Sequence, residues 1–146
     1  MKVSEALEQK QNRKLVTIRP EDTIETTATL LATNKIGAMP VRDEDGKLVG
    51  VISERDIVRG MSDKGGRAVS LSVQTLMTSP VTTCSPDDNI ASVLDTMTQR
   101  HFRHMPVLDG NGNLMGMISQ GDLVKCQLEQ AKMEVNVLRD VAIATR

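Results

Sequence analysis

The chain repeats itself, and that repetition restricts its fold more than any other feature. Shifted by 66 positions, residues 17–59 align with 83–125 without a gap, and 15 of the 43 pairs are identical. The identities cluster. Met39-Pro40-Val41 matches Met105-Pro106-Val107, Asp43 matches Asp109, Gly46 matches Gly112, and Gly50-Val51-Ile52-Ser53-Glu54-Arg55-Asp56 returns as Gly116-Met117-Ile118-Ser119-Gln120-Gly121-Asp122. A unit of about 45 residues sits near the size below which a lone hydrophobic core needs outside support. The two copies are therefore expected to fold together around one shared core, and 146 residues are enough to bury it.

Each copy reads as β-α-β-β-α, an α/β (α+β) fold. Val3, Ala6 and Leu7 form a short amphipathic lead-in, and Val73, Leu76 and Met77 repeat it, so each copy is read as owning its lead-in. Leu15-Val16-Thr17-Ile18, closed by Pro20, and Val81-Thr82-Thr83-Cys84, closed by Pro86, are brief strands or extended linkers. Asp22 or Thr23 caps a helix whose face is Ile24, Thr27, Ala28, Leu31 and Ala32; Asp88 or Asn89 caps one presenting Ile90, Val93, Leu94, Met97 and His101. Apolar runs flanking Asp43-Glu44-Asp45-Gly46 and Gly110-Asn111-Gly112 predict hairpins. The domain plan is 1–61 for the first repeat, 62–72 for a polar linker, 73–127 for the second repeat and 128–146 for a helical tail. In that tail Leu128, Ala131, Val135, Leu138 and Ala142 keep a helical spacing, which predicts either a fold-back onto the core or, the preferred expectation, a homodimer contact.

Composition excludes several classes. A net charge of -1 offers no general attraction to nucleic acid or anionic membrane. No apolar run approaches the length of a membrane span. Cys84 and Cys126 show no Cys-x-x-Cys spacing, and Met-Lys-Val-Ser-Glu-Ala has no apolar signal-peptide core, so a reduced cytoplasm is the expected location. Met39, Met97, Met105 and Met117 fall on core-facing positions. His101 and His104 lack partners at metal-ligand spacing, and no nucleophile is marked beside a base; neither metal binding nor catalysis is expected.

The repeated Ser-x-x-Asp carries two readings. Ser53 and Ser119 can cap helices, with Asp56 and Asp122 at N3 reaching back, although capping boxes favour the longer Glu or Gln there. The same geometry suits a ribose phosphate. A helix N-terminus offers free N–H groups to an anion, the hydroxyl adds a donor, and the carboxylate accepts hydroxyl protons.

With these residues in tandem, the chain resembles a pair of cystathionine β-synthase (CBS) domains, a Bateman module, over about residues 3–127. Its tail is similar to that of small stand-alone bacterial members. The resemblance implies a regulatory module that takes AMP, ATP or NAD, or alternatively S-adenosylmethionine, in clefts between the repeats, with no cofactor required. It places Asp56 on ribose hydroxyls and Ser53 on ribose or phosphate, with Val51 beside them, and Val81, Thr82 and Phe102 opposite. Arg55, Arg103 and His104 are the implied phosphate contacts of that cleft. The second cleft pairs Ser119, Asp122 and Met117 with Leu15, Val16, Ile36, Gly37 and Ala38. Gly121 replaces Arg55 and Ala38 replaces His104 there, so this cleft is expected to supply room without charge unless Lys10 reaches across, and the Asp56 cleft is expected to bind more tightly. Two other classes stay open: a structural dimerisation module in which Ser-x-x-Asp only caps helices, and, less favoured by the charge, a nucleic-acid binder. An unidentified effector protein is a further implied partner.

Overall fold

The computed structural model describes residues 1–10 and 14–145; residues 11–13 of the expected lead-in and Arg146 of the tail lie outside the described residues. The elements run α1 (Val3–Gln9), α2 (Ile24–Asn34), β1 (Ala38–Arg42), β2 (Leu48–Ser53), α3 (Glu54–Lys64), a 3-10 turn (Gly65–Ser70), α4 (Val73–Leu76), α5 (Ile90–Arg100), β3 (His104–Leu108), β4 (Leu114–Ser119) and α6 (Gln120–Ala144). β1 pairs antiparallel with β2, and β3 with β4, in one register: Met39 faces Ile52 as Met105 faces Ile118. Gly46 and Gly112 turn these hairpins at φ +80° and +81°, a conformation that side chains resist. The expected leading strands shrink to one bridged residue each, Ile18 beside Val41 and Cys84 beside Val107, both parallel. The segment 62–72 holds the end of α3 and the 3-10 turn, whose Ala68 is fully buried.

Where the lead-in helices pack departs from expectation. α1 does not sit on its own repeat: Val3 N–H donates to Asp88 O at 2.9 Å, Ile90 N–H donates to Met1 O at 3.1 Å, and Val3 and Ala6 are buried with Ile90, Met97, Met105 and Leu123 of the second repeat. α4 makes the reciprocal exchange. Val73 N–H donates to Asp22 O at 2.8 Å, Ile24 N–H donates to Leu71 O at 2.9 Å, and Val73 is buried with Ile24, Met39 and Ile52 of the first. Among the described residues there are thus two buried clusters, one per repeat, and not the single shared core expected. Each is closed by the other's lead-in. The exchange also supplies acceptors for N–H groups at the starts of α2 and α5, which a helix leaves without internal partners.

Two further expectations are corrected. Ala28 and Ala32 are exposed; only Ile24, Thr27 and Leu31 form the buried stripe of α2. His101 is not on the helix face of α5. It is the residue after it, exposed and left-handed at φ 60°, as Lys35 is after α2 at φ 53°. Thr23 and Asn89 are the caps, and Met39, Met97, Met105 and Met117 are buried. Fully burying a side chain such as Ile52 or Ile118 contributes roughly 1.5–3 kcal/mol, and these residues hold the two hairpins to their helices. α6 leaves the module after Cys126: no described residue beyond Gln127 is buried, which removes the fold-back reading.

Candidate functional site

Both β2 and β4 end at a serine that starts a helix, and the two helix starts open into two clefts. At the first, a capping box forms: Asp56 N–H donates to Ser53 Oγ at 3.3 Å, and Ser53 N–H donates to Asp56 Oδ2 at 2.9 Å. Ser53 Oγ also donates to Asp56 Oδ2 at 3.0 Å, and Thr78 Oγ1 donates to Oδ1 at 3.2 Å. At the second, Ser119 N–H donates to Asp122 Oδ2 at 2.9 Å and Asp122 N–H donates to Ser119 Oγ at 3.1 Å. The capping role is therefore real at both sites, with Asp doing what Glu usually does. It does not consume the carboxylates, since each oxygen can accept further protons.

The first cleft, of about 300 Å³, is lined by Val51, Ser53, Arg55 and Asp56 from the first repeat and by Val81, Thr82, Phe102, Arg103 and His104 from the second. Residues not assigned to this cleft from the sequence complete it: Glu54, Arg59, Thr78, Pro80, Arg100 and His101. Four arginines therefore face two carboxylates. Arg59 lies one turn beyond Arg55 on α3, so helical periodicity was a signal for it; Arg100 and Thr78 come from a helix end and a loop that no pattern marks. Arg100 Nη1 donates to Thr82 Oγ1 at 3.3 Å, which holds that guanidinium along the wall.

The second cleft, of about 640 Å³, brings together Lys10, Leu15, Val16, Ile36, Gly37, Ala38, Met117, Ser119 and Asp122. Lys10 does reach across, and the cleft carries more charge than that exception allowed. Lys14, Lys35 and Lys125 line it beside Lys10, with Glu8 and Glu129 among the opposing groups. The reason is structural: the exchanged α1 carries Lys10 into the cleft, the left-handed turn after α2 presents Lys35, and the first turns of α6 present Lys125. Lys10 Nζ stands 3.2 Å from Asp122 Oδ2 and donates to Met117 O at 2.6 Å. Asp122 is thus already engaged by a cation, whereas Asp56 has no ion pair among the described residues.

His104 and Gly37 line both clefts, and a β-carbon on Gly37 would stand 3.2 Å from His104 Cε1. The imidazole is the common wall. Its pKa is held below the ordinary value, first by burial and then by Lys10, with Arg103 adding to the effect and Asp122 and Glu54 opposing it. Cys84 is buried, and burial with Asp88 nearby pushes its thiol up to about 12; burial also raises Cys126. Neither thiol has the character of a nucleophile. Among the described residues no cluster of three His, Cys, Asp or Glu is placed to hold a metal, and no helix is long and apolar enough to cross a membrane.

The model of the CBS domain family matches residues 3–63 and again 73–129. The crystal structure of the CBS-domain containing protein ATU1752 from Agrobacterium tumefaciens superposes with a TM-score of 0.81 at 36% identity, covering 86% of this chain and 92% of that one. CBS domain protein PAE2072 from Pyrobaculum aerophilum, in a structure complexed with AMP, gives 0.74 at 29% identity over 84% and 89% of the two chains. The CBS domain-containing protein YhcV of Bacillus subtilis is 30% identical over 79% of this chain and 80% of its own length. Inosine-5'-monophosphate dehydrogenase of Mycobacterium tuberculosis also matches, at 34% identity, but the chain spans 20% of that protein's length.

Proposed function

The chain belongs to the CBS-domain family, with two repeats in tandem, and on that premise we propose that it is a regulatory, non-catalytic module that binds an adenine nucleotide in the clefts between them. AMP is the ligand best supported, because the PAE2072 neighbour, at 29% identity, was crystallised with it. ATP, NAD and S-adenosylmethionine are the competitors. The observation that carries the reading is the make-up of the Asp56 cleft: a buried carboxylate and a serine at a helix N-terminus, arginines from both repeats, and apolar Val51, Val81 and Phe102 in one lining. A ribose needs the carboxylate, a phosphate needs the helix start and guanidinium groups, and a purine needs the apolar walls. Both volumes fall in the range of small-molecule sites.

In this reading Asp56 takes the ribose hydroxyls, Ser53, Arg55 and Arg103 the phosphate, and Asp122 and Ser119 play the same parts in the second cleft once Lys10 moves aside. The module acts in the cytoplasm as a homodimer, passing ligand occupancy to an effector protein through the packing of repeats and chains.

The two capping boxes favour one rival, a structural dimerisation module with no ligand. Thermal melting separates the two. A ligand confined to the folded state, at about a hundredfold its dissociation constant, stabilises by roughly 2.7 kcal/mol. Ligand-free protein should melt higher with AMP; a melting temperature indifferent to AMP, ATP and NAD supports the structural rival.

A further inference from the structure

The clefts leave one large feature unused. Beyond Gln127 every described residue of α6 is exposed, and Leu128, Val135 and Leu138 are 55%, 55% and 69% accessible. A helix with no buried residue over about seventeen positions is marginal in water, and its exposed leucines add a hydration cost.

The spacing of its apolar residues is not that of a helix lying on a globular surface. Val124, Leu128, Ala131, Val135, Leu138 and Ala142 alternate steps of four and three without a break. That is a 3.5-residue period, which keeps a seam facing one partner helix along its length. In heptad terms Leu128, Val135 and Ala142 are a positions, and Val124, Ala131 and Leu138 are d positions. Met133, Val137 and Val141 make a second apolar row, but they advance by fours, and the same step traced back meets Glu129 and Lys125.

Charge decides the orientation. The e positions beside the seam are Lys125, Lys132 and Arg139, and the g positions are Gln127, Glu134 and Val141. An antiparallel pair of identical helices sets e against e, cation against cation. A parallel pair sets g against the e position five residues on, so Glu134 meets the partner's Arg139 and Gln127 meets the partner's Lys132. Within the described residues none of Lys125, Lys132, Glu134 and Arg139 is in an ion pair.

We propose that α6 pairs with a second copy of this chain as a parallel, in-register two-stranded coiled coil, seamed by Val124, Leu128, Ala131, Val135, Leu138 and Ala142. The inference rests on the homodimer proposed above and specifies its contact and direction. The two modules then lie at the same end of a common stalk, and Lys125 and Glu129, which line the Asp122 cleft, stand at its root.

Cysteine cross-linking in the full chain tests it. In a parallel pair each seam residue faces its own copy within disulfide reach. In an antiparallel pair Leu128 and Leu138, about 15 Å apart along the helix, cannot both do so. Leu128→Cys and Leu138→Cys should each give covalent dimers under mild oxidation, with the parent chain and Met133→Cys giving none. Cross-linking at only one seam position, at all three positions or at none overturns the coil. Sedimentation of the parent chain separates the two failures, since a dimer without seam cross-links keeps the homodimer and removes the coil, and a monomer removes both. Glu134→Lys should weaken association on the order of tenfold by setting cation against cation twice per dimer, and adding Arg139→Glu should restore it.

Discussion

Replacing Asp56 by alanine separates the two roles of the Ser-x-x-Asp string, because the structure assigns each a magnitude. Without ligand, the carboxylate accepts from Ser53 N–H, Ser53 Oγ and Thr78 Oγ1 and is 7% exposed. Its loss removes half of a capping box and leaves Thr78 without its partner; a lost cap costs about 1 kcal/mol and a lost hydrogen bond to a charged group more, so the sum is on the order of 2 kcal/mol. For a chain of this size that lowers the melting temperature by roughly 4–8 °C. Binding loses a hydrogen bond from ribose to a charged acceptor, about 1.5–3 kcal/mol, or roughly a ten- to hundredfold weaker dissociation constant. Calorimetric titration with AMP, run well below the variant's melting temperature, reads the second effect free of the first. Asp122→Ala is the control and should leave the tighter event in place, since Asp122 lies in the other cleft and is partnered by Lys10. A variant at Asp56 that melts lower yet binds AMP unchanged refutes the ribose role; loss of the tighter event in Asp122→Ala alone reverses the ranking of the clefts.

Two more outcomes follow from the packing. The folded-state pKa of His104 lies below its ordinary value, so the unfolded chain takes up this proton more readily, and the stability present at neutral pH should fall as pH drops through the ordinary histidine range and level off below the folded value. Denaturant unfolding of the wild type and His104→Gln across that range should show the extra slope in the wild type only, with Lys10, Arg103, Asp122 and Glu54 unchanged around the site; parallel curves contradict the assignment. Gly60→Ala would drive a β-carbon into Leu76 Cδ1 of the exchanged α4, whereas Gly66→Ala meets open space. Overpacking of about 1–3 kcal/mol less about 1 kcal/mol of helix propensity leaves a net loss near 1 kcal/mol for Gly60→Ala, measurable in the same unfolding experiment, and a gain there would show that α4 yields freely.

The repeat made the hairpins and the four helices outside the lead-ins legible, because strand-end serines and hairpin glycines recur at fixed offsets, whereas the lining of the two clefts came from the resemblance to CBS pairs, which did not extend to Arg59, Arg100 or Thr78. The repeat left the exchange of α1 and α4 hidden. The lead-ins recur as Val3, Ala6, Leu7 and Val73, Leu76, Met77 whether each packs on its own repeat or on the other, and it is the backbone pairing of Val3 with Asp88 and Val73 with Asp22, with the buried clusters around them, that distinguishes the two. The charge of the second cleft was underestimated for another reason: Lys10 was foreseen, but Lys35 after α2 and Lys125 on α6 carry no motif that ties them to the cleft. His101 was misplaced for a different reason. Its spacing from Met97 continues the stripe of α5, but the chain turns left-handed there without the glycine that usually marks such a turn.

The central claim is that adenine nucleotide occupies the clefts. With no Trp and no Tyr the protein is nearly transparent where adenine absorbs, so equilibrium dialysis of ligand-free chain against AMP can be read directly by ultraviolet absorbance. The account predicts saturable uptake of at least one and no more than two AMP per chain, with the tighter binding weakened in Asp56→Ala. Equal AMP on both sides of the membrane at every concentration, with ATP and NAD behaving alike, would contradict it.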